Sequence, residues 1–388
     1  MRGVYAMLGY TLWHESHYKN LDEILNRLEK IAIKHVSVVL ATSIAGINDK
    51  ILVKEKTIVK PLCKHKDCIK EKDAGGFIPR KEVINIIHKC HERGFHVALK
   101  PHIHARNTDG CKPAWWSGWI GLSASNRFKQ KVLNCMINNT NRVLVDYALS
   151  NKSGKGKISG LILATEIVSL LDTTINEVSM LKAWYKLLGS VINNDYQNFD
   201  FITYASNAWM PEVSDLYYSI WLARMLMGDK WVVDMLMNNT PFEINNKYIT
   251  ELLNNITRSY HNPVWKEQTH AGLNMYPYWT FDKEYHNIYK QFTNYTIEYA
   301  LKFGWFKWNV EKTVNHVQLV NNWKGNKPLI ITEAGIEYFS PVMNDEEYNR
   351  KWWDIMTCLF DNAHLIYIWD DRPYGTSVVL DAIERIFA

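Results

Sequence analysis

The chain has 388 residues, 45 Lys and Arg against 40 Asp and Glu, and a formal charge of +5. That balance is mild and no Lys/Arg block occurs, which argues against nucleic acid as a partner. The apolar share of 47% is enough for a sizeable core; core packing and surface tyrosines account for most of the 16 Trp, 21 Tyr and 13 Phe, and tryptophans near strand ends could also form platforms for sugar rings. Six cysteines in so long a chain do not make a disulfide framework. Cys63 and Cys68 form the one close pair, read as a loop disulfide or two free thiols.

Strand-like and helix-like runs alternate from end to end. Gly3 to Leu8 reads as the first strand. Leu21, Ile24, Leu25, Leu28 and Ile31 recur at helical spacing behind Asn20. His35 to Ala41 is the second strand, followed by a polar insertion over 46–79. A helix over 81–93 stops at Gly94, and Phe95 to Pro101 is the third strand. A long helix covers 126–149. The run 158–166 is the fourth strand, with a helix over 175–193, and Phe201 to Asn207 is the fifth. An aromatic insertion spans 211–265. His270 to Tyr276, 328–333 and His364 to Trp369 are strands six to eight, and a short helix over 380–387 ends the series.

Eight such alternations with continuously apolar strands predict one α/β domain over 1–388, a (β/α)8 barrel. An open doubly wound sheet would carry a Gly-rich phosphate loop, and none is present. No secretory signal pattern precedes the first strand. Leu216 to Met237, the most apolar later stretch, is interrupted by Arg224, Asp229, Lys230 and Asp234 and does not read as a membrane span. The expected location is the cytoplasm, or the medium after lysis. Nothing in the sequence sets an oligomeric state.

In a parallel barrel the working residues stand at the C-terminal strand ends. There the third strand supplies Lys100 and His102, followed by Trp116 and Trp119. The fourth supplies Glu166, the fifth Asn207 and Trp209, and the sixth Tyr276, Tyr278 and Trp279. The seventh supplies Glu333 and the eighth Trp369 and Asp370. Two glutamates from different strands, ringed by aromatic and polar groups, fit glycoside cleavage: one acid protonates the leaving oxygen, and the other carboxylate attacks C1 or activates water. Aromatic faces suit the apolar side of a pyranose. Lys100 is read equally as a substrate contact and as an inward lysine paired with a rim carboxylate. No metal or organic cofactor is required.

Two rival readings come from the same rim. His102 and His104 fall on one strand face, and a His-x-His pair inside a barrel begins the metal site of metal-dependent amidohydrolases. Further ligands are missing at strands five and six. The other rival is a non-catalytic barrel that binds carbohydrate or serves a structural role, as in a phage or viral particle.

The motifs resemble those of clan A glycoside hydrolases, and most of all glycoside hydrolase family 113, whose known members are β-1,4-mannanases. They are Leu99-Lys-Pro-His102 with Trp116-Ser-Gly-Trp119, Ala164-Thr-Glu166, Tyr204-Ala-Ser-Asn-Ala-Trp209, Asn274-Met-Tyr-Pro-Tyr278 and Lys327-Pro-Leu-Ile-Ile-Thr-Glu333-Ala-Gly335. The resemblance implies a retaining β-glycosidase, with a mannan-type substrate first and a glucan-type second. It implies Glu166 as acid/base, Glu333 as nucleophile, Tyr276 as the residue orienting that nucleophile, and Asn207 and Trp209 lining the sugar site. Thr165 departs from the Asn that much of the clan places before the acid. Ala164 stands where the family usually has Gly.

Overall fold

The computed structural model describes residues 7–45, 52–54, 78, 80–106, 113–114, 126–151, 156–165, 189, 191, 199–207, 269–275, 279–281, 306–308, 326–335, 363–370, 380–381 and 384. Its strands are β1 (Met7–Leu12), β2 (His35–Ala45), β3 (Leu52–Lys54), β4 (His96–Arg106), β5 (Pro113–Ala114), β6 (Ile158–Thr165), β7 (Phe201–Asn207), β8 (Ala271–Met275), β9 (Trp279–Phe281), β10 (Phe306–Trp308), β11 (Leu329–Ala334) and β12 (Leu365–Ile368). Its helices are α1 (Glu15–Lys19), α2 (Leu21–Lys30), α3 (Arg80–Glu92) and α4 (Asn126–Ser150).

Eight of these strands close a ring. In order they are β1, β2, β4, β6, β7, β8, β11 and β12, and each pairs in parallel with the next. β12 pairs in parallel with β1, with Met7 opposite Leu365 and Tyr10 opposite Ile368, and the ring is complete. This is the (β/α)8 barrel. A closed ring leaves no strand edge. β2 and β4 continue together four residues past Ala41 and His102, to Ala45 and Arg106. Short antiparallel strands β3 and β5 flank that extension.

Inside the barrel, Ala98, Ile162, Phe201, Ile330, Leu365 and Tyr367 form one buried cluster. They come from five different barrel strands, as alternating inward positions require. Gly160 is part of that fit, because any Cβ there would run into the Phe201 ring. The helices pack outside. Val83, Ile86, Ile87 and Cys90 of α3 are all buried, and α3 and α4 both lie against β2 and β4. Burial pushes the Cys90 thiol up to about 12, so it is an inert core group. Arg27 of α2 pairs with Asp381 and Glu384, tying the first helical layer to the C-terminal residues. Among the described residues no helix is long and apolar enough to cross a membrane.

The predicted strands recur with local shifts. Phe201 to Asn207 is matched residue for residue. Of the expected first strand, Gly3 to Leu8, only Met7 and Leu8 fall among the described residues; both lie in β1, which runs on to Leu12. The strand continues past Leu8 for a tertiary reason, since Gly9 to Leu12 pair with His35 to Val38 of β2. The third strand continues five residues beyond Pro101 because β2 offers an uninterrupted partner. Helix α1 was not foreseen. The insertion 211–265 lies outside the described residues, as do Cys63, Cys68 and most of 46–79 and 175–193.

Two helices end in the same six-residue motif. After α3, Phe95 N–H bonds the Cys90 carbonyl and Gly94 N–H bonds the His91 carbonyl, with Gly94 at φ 74°. After α2, Ile33 bonds Leu28 and Ala32 bonds Glu29, with Ala32 at φ 58°. This closure needs a left-handed residue, which costs an alanine about 1 kcal/mol relative to glycine. Ala32 is exposed. The Ala32→Gly variant is therefore expected to gain about 1 kcal/mol in a urea melt. A neutral or destabilising result would remove this account of the helix end.

Candidate active site

The site is built on top of the apolar cluster. Lys100 follows Ala98 on the inner face of β4, and Trp369 follows Tyr367 at the end of β12. Glu333 comes from the C-terminal part of β11. Lys100 spans the barrel from the third strand to the seventh. Its Nζ forms an ion pair with Glu333 Oε1 and donates to the Thr332 carbonyl oxygen at 2.9 Å. Lys100 is 0% exposed and Glu333 4%. Each charge has left water, and each is compensated by the other.

A register irregularity aims Glu333. On β11, Ile331 to Ala334 spans the same length as Ile366 to Ile368 on β12. Against β8, Ile331 to Glu333 spans only Leu273 to Asn274. One extra residue is therefore accommodated at Thr332 and Glu333, a bulge that re-aims a side chain at a barrel rim. The Thr332 carbonyl at this point is the one that Lys100 engages. Thr332 Oγ1 lies 2.6 Å from Asn274 Oδ1 and donates to it, both residues being fully buried. The bulge is thus tied from two sides. Across the rim, Asn207 of β7, Asn274 of β8 and Glu333 of β11 are successive register partners. β6 carries a matching slip: Ile162 to Thr165 spans only Thr203 to Ala205 of β7. This slip falls directly before Glu166 in the sequence.

Aromatic rings form the wall beside the pair. Trp13 and Trp369 stack with centroids 5.4 Å apart and 13° from parallel. His102 lies over Trp369 at 6.4 Å, and Lys100 Nζ is 5.3 Å from the Trp369 ring centroid. Val39 and Ala41 fill the space beside the two tryptophans. Trp13 Nε1 donates to the Asp370 carbonyl oxygen at 2.5 Å, and Tyr10 Oη donates to Asp370 Oδ2 at 3.5 Å. Asp370 is fully buried and acts as an anchor between the last strand and the first. Trp369 Nε1 is a buried donor without a hydrogen-bond partner among the described residues.

Burial pulls the His102 imidazole down to about 4, with Glu333 opposing the drop and Lys100 adding to it. His17 sits against Tyr10 and Trp13 and accepts from Trp13 N–H through Nδ1. Burial, reinforced by His14, holds it at about 3. Both rings are therefore neutral near pH 7.

Of the residues expected at this rim, the structure brings together Lys100, His102, Glu333, Trp369 and Asp370. Asn207 and Trp279 are placed only as backbone positions, at the end of β7 and the start of β9. Glu166, Tyr276, Tyr278, Trp116, Trp119 and Trp209 lie outside the described residues. Lys100 has a protein partner, the rim carboxylate, in line with one of its two expected readings. Trp13, Tyr10, Asn274 and Thr332 were not singled out. Trp13 escaped notice because the first strand was expected to end at Leu8; with β1 running to Leu12, Trp13 is a rim residue. Among the described residues no three His, Cys, Asp or Glu side chains group as a metal ion would need.

The fold has known counterparts. A structure of a GH113 β-1,4-mannanase in complex aligns with 100% of this chain and 99% of its own, at 11% identity and a TM-score of 0.52. The GH113 β-mannanase AaManA from Alicyclobacillus acidocaldarius aligns with 100% of this chain and 97% of its own, at 12% identity and a TM-score of 0.49. No family model and no curated protein matches the sequence. At such identity the likeness concerns the fold, and the chemistry must be argued from the residues.

Two outcomes are expected. In the unfolded chain a histidine titrates near 6.5, so the folded-state preference for neutral His17 and His102 is fully present above that pH. It is lost as the pH falls toward 4 and then 3. Each ring contributes on the order of 1 kcal/mol per pH unit across that window. Melting temperature should fall steadily from pH 7 to pH 4.5, and His17→Gln should flatten part of the slope. A flat wild-type profile would contradict this. Separately, Lys100→Met or Glu333→Leu alone should cost about 3–5 kcal/mol, while the double variant should recover most of the loss. Additive losses in urea melts would show that the two side chains do not compensate each other.

Proposed function

We propose that the protein is a retaining β-glycoside hydrolase of the clan A type, with Glu333 as nucleophile and Glu166 as acid/base. The observation that carries this reading is the placement of Glu333: a bulge at the C-terminal end of the seventh barrel strand holds a buried carboxylate against Lys100 of the third. The buried Trp369 Nε1–H, which has no partner among the described residues, supports it, since a sugar hydroxyl would satisfy such a donor. The slip in β6 just before Glu166 supports pairing the two strand ends. The chain is similar in fold to a GH113 β-1,4-mannanase, so a β-linked mannan-type chain is the first substrate to test and a glucan-type chain the second.

In this mechanism Glu333 attacks C1 while Glu166 protonates the leaving oxygen, through an oxocarbenium-like transition state. Carboxylates about 5–5.5 Å apart suit this double displacement. Water then attacks C1 of the glycosyl-enzyme, giving its proton to Glu166, and the electron pair of the C1–O bond returns to Glu333. Asn207 and Tyr276 would contact the sugar and the nucleophile. The other expected contacts, Trp116, Trp119, Trp209, Tyr278 and Trp279, would line the cleft, and the whole chain 1–388 would serve as one catalytic domain.

A second reading, a barrel that binds glycan without cleaving it, draws on the same ion pair. A carboxylate neutralised by a buried lysine and 4% exposed can also be purely structural. The deciding experiment is product formation from β-1,4-manno-, gluco-, xylo- and chito-oligosaccharides, read by mass spectrometry. Cleavage by wild type, with a loss of about 10³-fold or more in Glu333→Ala and Glu166→Ala, is expected. Folded but inert wild type that still binds an oligosaccharide would favour the second reading.

A further inference from the structure

Six histidines gather at the N-terminal end of the barrel, opposite the rim that holds Glu333. His35 and His96 open β2 and β4 and are register partners. Their rings stack with centroids 4.8 Å apart and 17° from parallel. His270 directly precedes β8 and His364 directly precedes β12. Their ring centroids are 5.8 Å apart, and β11 pairs with both strands. At the other flank, His88 and His91 stand one turn apart on α3, 4.8 and 5.5 Å from the Tyr147 ring. We propose that this histidine belt is an acid-released latch: neutral rings let the strand ends close, and proton loading in mild acid drives them apart. The belt shares no residue with the rim site, so the latch does not depend on the hydrolase reading.

The backbone of these residues carries first rungs of the sheet. His96 N–H bonds the Lys34 carbonyl at 2.8 Å, and His364 N–H bonds the Leu329 carbonyl at 2.7 Å. Met7 N–H bonds the His364 carbonyl at 3.0 Å. Charge on the rings therefore falls where strand pairing begins. Among the described residues no carboxylate, Glu92 of α3 and Asp146 of α4 included, forms an ion pair with any of the six. Lys34 and Arg93 both hold Glu29. Lys89 holds Asp22, and Lys157 holds Asp200. Lys327, just ahead of β11, adds positive charge near His270.

Burial pulls the His35 imidazole down to about 4, with His96 and His364 adding to the drop. Burial and then His88 take His91 to about 4 as well; His96 adds to this and the Lys157 backbone opposes it. Burial, then His364 and Lys327, lower His270. An unfolded histidine titrates near 6.5. Above that pH the contribution of these rings to stability is complete. Between about 6.5 and 4 the unfolded chain binds more protons than the folded one, so stability falls with pH. Within a pair, the ring that takes a proton first makes the second harder to charge. That mutual effect separates a belt from six independent rings.

His96→Gln and His364→Gln test it, because both side chains are exposed and each substitution removes a neighbour that disfavours charge on His35. In an NMR titration of histidine-labelled protein, with the signal assigned through His35→Gln, His35 should titrate well below 6.5 in wild type. Its midpoint should rise in both variants, by about half a pH unit in His96→Gln. In pH titrations at fixed urea, followed by tryptophan fluorescence, the unfolding midpoint should move to lower pH in each variant and further in the double variant. Urea melts near pH 8 should be unchanged. His17 and His102 are intact in every arm, so their own titration cancels in the comparison. His35 titrating near 6.5 in wild type, or midpoints that do not move in either variant, would overturn the latch. Equal losses of stability near pH 8 and pH 5 would assign these rings a packing role and overturn it as well.

Discussion

Closure of the strand ring between β1 and β12 is the constraint on which the other features depend. Met7 N–H bonds the His364 carbonyl, and the four residues Met7 to Tyr10 run in register with Leu365 to Ile368. The two partners lie at opposite ends of the sequence. Only when they meet does every inward side chain acquire a neighbour across the axis. The same closure brings Trp13 against Trp369 and Tyr10 against Asp370. Outside the ring, Arg27 with Asp381 and Glu384 reinforces the junction between the first and last helical layers.

Within that ring, the chemistry is placed by departures from regularity. A uniform β11 would alternate its side chains strictly. The extra residue at Thr332 and Glu333 breaks the alternation and frees a carbonyl, and Lys100 and Asn274 hold the two sides of the resulting bulge. The floor below is apolar and well filled. Charge is therefore confined to one level of the barrel, where a lysine and a glutamate from opposite strands satisfy each other. Such a level has low dielectric, so any change in the charge of Glu333 is felt strongly by Lys100. This is why one buried pair can bear on the stability of the whole barrel.

Much of the scaffold was legible in the linear pattern. Phe201 to Asn207 is apolar, β-branched and aromatic, and it forms the expected strand. Gly94 stands where a left-handed residue must end α3, and it does so. The end of the first strand was not legible. The strand was expected to stop at Leu8, and only pairing with β2 and β12 carries it on to Leu12. Helix α1 was missed because five residues give too little periodicity to detect. Its cap comes from the His14 side chain, which accepts from Ser16 N–H.

The site was legible in part. Glu333 and Lys100 could be named because each ends an apolar run, and rim position follows from strand order alone. The sequence by itself determined the strand–helix alternation, the residues at the strand ends and the presence of two Thr-Glu termini, because periodicity and side-chain type are local properties. Tertiary structure decided that Lys100 meets Glu333, that Trp13 stacks on Trp369 and that a bulge falls at Glu333. These depend on register between strands hundreds of residues apart, and register is a property of the closed ring that no local window contains.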